Sequence, residues 1–175
     1  MKSIDARALI EAGITQRTHP STWADLGCGT GIFTYALASL LAHSSKIYAV
    51  DKEDHYSETY ETADVDIAFL KLDFITEVLP FSNLDGIMMA NSFHYVKEKS
   101  MFLETLKKHL KRSAQLIIVE YDTEKQNRWV PYPINFEKLR HTFTAAGFHS
   151  IKKIGERNSV YRSEKIYASS VQYGD

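Results

Sequence analysis

Short apolar runs alternate along this chain with stretches of helical period, the pattern of a parallel sheet flanked by helices. Periodicity predicts an opening helix over roughly Ile4 to Ala12, stopped by Gly13, a residue type favoured just past a helix C-terminus. "STWADLG" reads as a first strand running into glycines. From Thr30 the apolar positions Ile32, Phe33, Ala36, Leu37, Leu40 and Leu41 recur at helical spacing, so a helix starts within or just after the glycine stretch. "KIYAV" is a second strand, Asp54 to Tyr60 a polar helix, and "DIAFLKL" a third strand whose apolar run suggests burial on both faces. "LDGIMMA" is a fourth strand. A helix over about Lys99 to Leu110 leads into the fifth, "AQLIIVEY". "NFEKLRHTFTAAG" has Asn135 as N-cap, a stripe of Phe136, Leu139 and Phe143, and Gly147 as its stop. "FHSIKKI" and "EKIYASSVQ" follow with no helix between them, which predicts an antiparallel hairpin. The expected fold is therefore α/β, doubly wound, with a mostly parallel seven-stranded sheet and an antiparallel last strand.

Length and composition narrow this picture. With 175 residues and 44% apolar content, the chain suits one sizeable core and is short for two. The expected organisation is a single domain, 1–175, with a short N-terminal cap helix in 1–20 and candidate acceptor-site loops at 122–134 and 155–164. Twenty-one basic residues nearly cancel 22 acidic ones, a formal net charge of −1, so no global footprint for nucleic acid stands out. Apolar stretches fall short of a bilayer span, and "MKSIDARALIEAG" carries acids where a secretory signal would be apolar. A cytoplasmic protein is expected. A lone cysteine, Cys28, leaves no internal disulfide and no multi-cysteine metal site.

The chemistry concentrates in "WADLGCGTGIF". Gly27, Gly29 and Gly31 occupy the first strand-to-helix turn, the place where a doubly wound sheet lets backbone approach a ligand. A dinucleotide fingerprint would require its third glycine at position 32, where Ile32 stands, so the spacing is G-x-G-x-G instead. Asp51 ends the second strand, where a carboxylate can accept hydrogen bonds from ribose hydroxyls, and Asp73 ends the third. Each has a plainer reading: Asp51 as an N-cap, Asp73 as a turn residue.

"ADLGCGTG", "YAVDKE" and "LKLDF" resemble the first three motifs of class I S-adenosylmethionine-dependent methyltransferases, and the resemblance runs from about Trp23 to Tyr121. It implies S-adenosylmethionine as cofactor and S-adenosylhomocysteine as product. Asp25 would help hold the methionine amino group, often through water, with the backbone of Gly27, Gly29 and Gly31 against the ligand. Asp51 would take the ribose hydroxyls, Asp73 the adenine amino group, backbone near Phe74 the ring edge, and Asn91 the methionine side. The resemblance also implies a last strand inserted antiparallel beside the fifth. This cofactor has no pyrophosphate, which agrees with a turn lacking the dinucleotide spacing.

Methyl transfer can be accelerated largely by alignment, so a conspicuous catalytic group is not obligatory. Where the acceptor must lose a proton, His94 is the candidate base, three residues after Asn91; its alternative is to shape the loop through backbone contacts. Glu120 and Asp122 either face the acceptor or cap a turn. Trp129 and Tyr132 of "NRWVPYP", with Tyr161 and Arg162 of "SVYRSE", are candidate acceptor contacts, aromatic rings suiting an apolar or cationic acceptor; the alternative anchors that loop on the core by its rings. No Asn-Pro-Pro-Tyr-like tetrad follows the fourth strand, no Pro-Cys pair is present, and no metal-ligand cluster of fitting spacing appears. The expected acceptor is a small molecule rather than nucleic acid or membrane. Contrasting readings are a non-catalytic cofactor-binding scaffold and a nucleic-acid methyltransferase with a basic face at "KKHLKR".

Overall fold

In a computed structural model, residues 2–15, 17–55, 64–159 and 164–174 are described. Their strands are β1 (Thr22–Leu26), β2 (Lys46–Asp51), β3 (Asp66–Lys71), β4 (Leu84–Ala90), β5 (Leu110–Tyr121), β6 (His149–Asn158) and β7 (Lys165–Gln172). They form one seven-stranded sheet in the order β3-β2-β1-β4-β5-β7-β6. The first five run parallel, and β7 enters antiparallel to both β5 and β6. The expected antiparallel insertion is thus present.

Helices α1 (Ser3–Ile10), α2 (Ile32–Ala38), α3 (Lys99–Lys107) and α4 (Phe136–Ala145) cover the sheet. Ala6, Leu9 and Ile10 of α1 pack with Phe33, Ala36 and Leu37 of α2 in one buried cluster. Phe102, Leu103 and Leu106 of α3 pack with Leu139 and Phe143 of α4 in the other. α1, α3 and α4 each bury one stripe and α2 is buried almost all round, so the sheet is apolar on both faces at its centre and each face has its own core. Asn135 caps α4 as expected, its side chain accepting from the Lys138 amide. None of the described helices is long and apolar enough to cross a membrane.

Three expectations shift. β3 lies at a sheet edge, so its residues are half-buried or exposed rather than buried on both faces. α3 stops at Lys107, because Leu110 already pairs with Leu84 and opens an unexpectedly long β5. The polar helix expected over Asp54 to Tyr60 falls from residue 56 onward outside the described residues. β6 carries irregularities in its pairing with β7, one of them between Lys153 and Gly155.

Candidate functional site

The parallel strands all end on one side of the sheet, and a cavity of about 680 Å³ opens there, within the range of about 300–1,000 Å³ usual for small-molecule sites. Its first wall is the turn after β1. The amides of Gly27 and Cys28 both donate to the Val50 carbonyl at the end of β2, at 2.8 and 3.0 Å, and the Gly31 amide returns to the Cys28 carbonyl. That path requires φ of +81°, +52° and +85° at Gly27, Gly29 and Gly31, a region that side-chain-bearing residues avoid. The two inner glycines differ in surroundings. A Cβ on Gly27 would stand 2.4 Å from that of Ser92, whereas one on Gly29 would meet nothing within 4 Å.

Asp51 ends β2 facing this turn. Its Oδ2 accepts from the Gly29 amide at 2.8 Å and its Oδ1 from the Glu53 amide at 3.0 Å. Asp51 thus ties the glycine turn to its own turn, which is compatible with ligand binding, since a carboxylate offers about four lone-pair sites; the helix that an N-cap reading requires lies largely outside the described residues. Asp73, just past β3, likewise shapes its turn: Oδ1 accepts from the Ile75 amide at 2.9 Å, while the Asp73 amide donates to Glu77. Asp51, Asp73, Phe74, Gly27, Gly29 and Asn91 all line the cavity. Asn91, directly after β4, sits at φ +55° with a buried Oδ1 that has no described partner.

Asp25 and Gly31 do not reach the lining. Asp25 is fully buried in β1, its Oδ2 accepting from the Thr34 hydroxyl at 2.6 Å while Oδ1 lacks a described partner. Burial pushes its carboxyl up to about 7, with the Asp51 charge adding and the Thr34 hydrogen bond opposing. Cys28 lines the cavity, its thiol pushed above the ordinary range by burial and by the charges of Asp25 and Asp51; such a thiol is a poor nucleophile.

His94 sits in a 3₁₀ turn, Phe93–Tyr95, beyond the cavity lining. Both it and Glu120 at the end of β5 are almost fully buried. Glu120 Oε1 accepts from the His94 amide at 3.0 Å, and Oε2 lies 2.7 Å from Nδ1. In the neutral imidazole a carboxylate held this way favours the proton on Nδ1, which makes Nε2, without a described partner, an acceptor. The Tyr95 ring, which does line the cavity, lies 4.4 Å from the imidazole. Burial, then the charges of Glu120 and Asp51, raise the Tyr95 phenol above its ordinary value. Asp122 is off the lining, its carboxylate accepting from the Phe136 amide at the start of α4 and from Lys153.

The loop 122–134 is anchored by Val130 and Ile134, each 1% exposed, and by the Tyr132 amide donating to the His94 carbonyl. Trp129, 67% exposed, is no core anchor, and neither it nor Tyr132 lines the cavity. Tyr161 and Arg162 lie outside the described residues, and 155–158 belong to β6 rather than to a loop. The lining also takes in Tyr95, Tyr121, Arg157 and Ile166, from the turn after β4 and from β5, β6 and β7. Tyr121 ends its strand, a placement legible in "AQLIIVEY"; Arg157 and Ile166 carried no local signal.

A family model described as "Methyltransferase domain" matches residues 24–113. A search of curated proteins by sequence finds no match. Solved structures share the fold at low identity. A SAM-dependent methyltransferase from Aquifex aeolicus is 20% identical, with 98% of this chain and 97% of that one covered at a TM-score of 0.65. The 1,6-didemethyltoxoflavin-N1-methyltransferase of Burkholderia thailandensis is 14% identical, with 99% and 78% covered at 0.70. Phosphoethanolamine N-methyltransferase 2 of Haemonchus contortus is 11% identical, with 98% and 52% covered at 0.71.

Proposed function

The chain belongs to the methyltransferase-domain family and is a class I S-adenosylmethionine-dependent methyltransferase; from that premise we propose that it acts as a single cytoplasmic domain, methylating a small-molecule acceptor. One observation carries the reading: a single cavity is lined both by the glycine turn and Asp51 and by Tyr95, Tyr121 and Ile166 from other strand ends. Such a cavity offers one end for a nucleoside and another for a second small molecule. The named substrates of two proteins sharing the fold, 1,6-didemethyltoxoflavin and phosphoethanolamine, are also small molecules.

The residues fit the cofactor. Buried acceptor atoms on Asp25 and Asn91 stand without described partners, as a donor-bearing ammonium group would require. The open space at Gly29 leaves room for close approach. Asn91 meets the amino group of the methionine portion, and Asp25, off the wall, acts through an intervening water. Asp51 takes the ribose hydroxyls, Asp73 the adenine amino group, and backbone at Phe74 the ring edge. When bound, S-adenosylmethionine would supply an electrophilic methyl group on a cationic sulfur for the acceptor's nucleophile. His94 Nε2 receives the proton of an acceptor that must lose one, Glu120 holding the imidazole tautomer. His94 lies behind the lining beside Tyr95, so that transfer needs Nε2 to be brought into reach of the cavity.

Calorimetry with S-adenosylmethionine and S-adenosylhomocysteine, followed by labelled transfer to a metabolite extract, tests the reading. Saturable binding and label in low-molecular-weight fractions are expected. Transfer to no fraction would favour a scaffold, and transfer only to added RNA or DNA, steeply weakened by salt, would replace the acceptor class.

A further inference from the structure

The acceptor wall contains a row of residues set by strand register. Tyr121 of β5 is paired with Ile166 of β7, and Ile166 with Arg157 of β6. Residues directly opposite in antiparallel strands project to the same face, so these side chains stand in line along the cavity. Two strand spacings separate Tyr121 from Arg157, about 10 Å. The row therefore passes from a phenol ring through an aliphatic side chain to a guanidinium.

Arg157 has a weak hold on its counter-ion. Its described ionic partner is Asp5 of α1, at 3.2 Å from a single nitrogen, and the side chains are 26% and 39% exposed. The hydrogen bond from Arg157 is the main cause of Asp5's lowered carboxyl pKa, so Asp5 is ionised at neutral pH. Pairs this exposed are weak and screened by solvent, and a guanidinium presents about five donors in a fork suited to a carboxylate or phosphate. The remaining basic residues on the described lining, Lys52 and His55, follow Asp51 closely in the chain and belong to the β2 end. Among the described lining residues, Arg157 is thus the cation of the acceptor end.

We propose that the acceptor is an anion, a small molecule whose carboxylate or phosphate pairs with Arg157 while its apolar body lies over Ile166 and Tyr121. This rests on the small-molecule reading above. Asp5 acts as a built-in competitor for the guanidinium, occupying it when no acceptor is present.

Matched aromatic probes test the assignment on protein saturated with S-adenosylhomocysteine: benzoate and phenyl phosphate against benzamide and benzyl alcohol, followed by calorimetry. The anions are expected to bind about tenfold or more tighter than their neutral partners, the effect of a charge-assisted hydrogen bond. Arg157→Gln should abolish that preference without changing S-adenosylhomocysteine affinity, and Asp5→Asn should strengthen the anions alone. Equal binding of charged and neutral probes, no binding of either anion, or a preference that survives Arg157→Gln would overturn the inference. So would a loss of S-adenosylhomocysteine affinity in Arg157→Gln, which would move Arg157 to the cofactor end. Failure of S-adenosylhomocysteine to bind the unmodified protein would instead remove the underlying reading, and this inference with it.

Discussion

The two ends of the cavity are built by different means. At the glycine end, backbone does much of the work: a turn stitched to Val50 by consecutive amides, with carboxylates at the tips of adjacent parallel strands. At the other end, side chains do it, brought together from the turn after β4 and from β5, β6 and β7, elements far apart in the chain. A site made of backbone tolerates few changes, because the path itself is specified. A site made of side chains can change its chemistry one residue at a time.

Asp51→Ala should have the largest effect, confined to the glycine end. Losing hydrogen bonds to a charged acceptor costs about 1.5–3 kcal/mol each, so cofactor affinity should fall about a hundredfold or more. Unchanged binding by calorimetry would break the assignment of that end. At the other end, His94→Gln should cut turnover by about a hundredfold while sparing cofactor affinity. Since Glu120 is buried against His94, thermal unfolding of the variant must be followed alongside. An unchanged rate would retire the proton-accepting role.

Asp25 separates the ends by pH. Its carboxyl sits at about 7 in the fold against an ordinary 3.8. Between those values the folded state binds more protons than the unfolded one, so its contribution is full below about pH 4 and is lost as pH rises through 7. The loss amounts to several kcal/mol, on the order of the shift at about 1.4 kcal/mol per unit. Denaturant midpoints across this window should flatten in Asp25→Asn; an undiminished slope would assign the titration elsewhere. The glycines offer a finer contrast. Gly27→Ala should cost about 2 kcal/mol or more through its φ and its contact with Ser92. Gly29→Ala should cost about 1–2 kcal/mol of stability while weakening cofactor binding about tenfold. Smallest of all, Trp129→Ala should change cofactor affinity by less than about twofold, because its ring is exposed and off the lining.

This asymmetry also governs what could be read without coordinates. Gly27, Gly29, Asp51 and Asp73 are legible because a tight turn and a strand tip are local demands, visible in a few consecutive residues. The antiparallel ending is legible because no helix separates the last two apolar runs. Arg157 and Ile166 are not, since their meeting depends on which strand β7 pairs with and in what register. The edge position of β3 is hidden for the same reason: an apolar run does not state its neighbours. His94 is conspicuous by residue type, but its turn inward to Glu120 is a matter of packing from the neighbouring parallel strand.

The irregularity between Lys153 and Gly155 takes on meaning here. Lys153 pairs with Ser169, yet Gly155 pairs with Ala168, so Ile154 is an extra residue in β6. Bulges of this kind re-aim the side chains that follow them. Without it, regular counting would put Glu156 opposite Ile166, where Arg157 now stands. The sign of the charge at the far end of the cavity is therefore decided by a bulge three residues away: the same sequence paired regularly from Lys153 would set a carboxylate where a guanidinium stands, whereas deleting Ile154 would straighten β6 and keep Arg157 opposite Ile166.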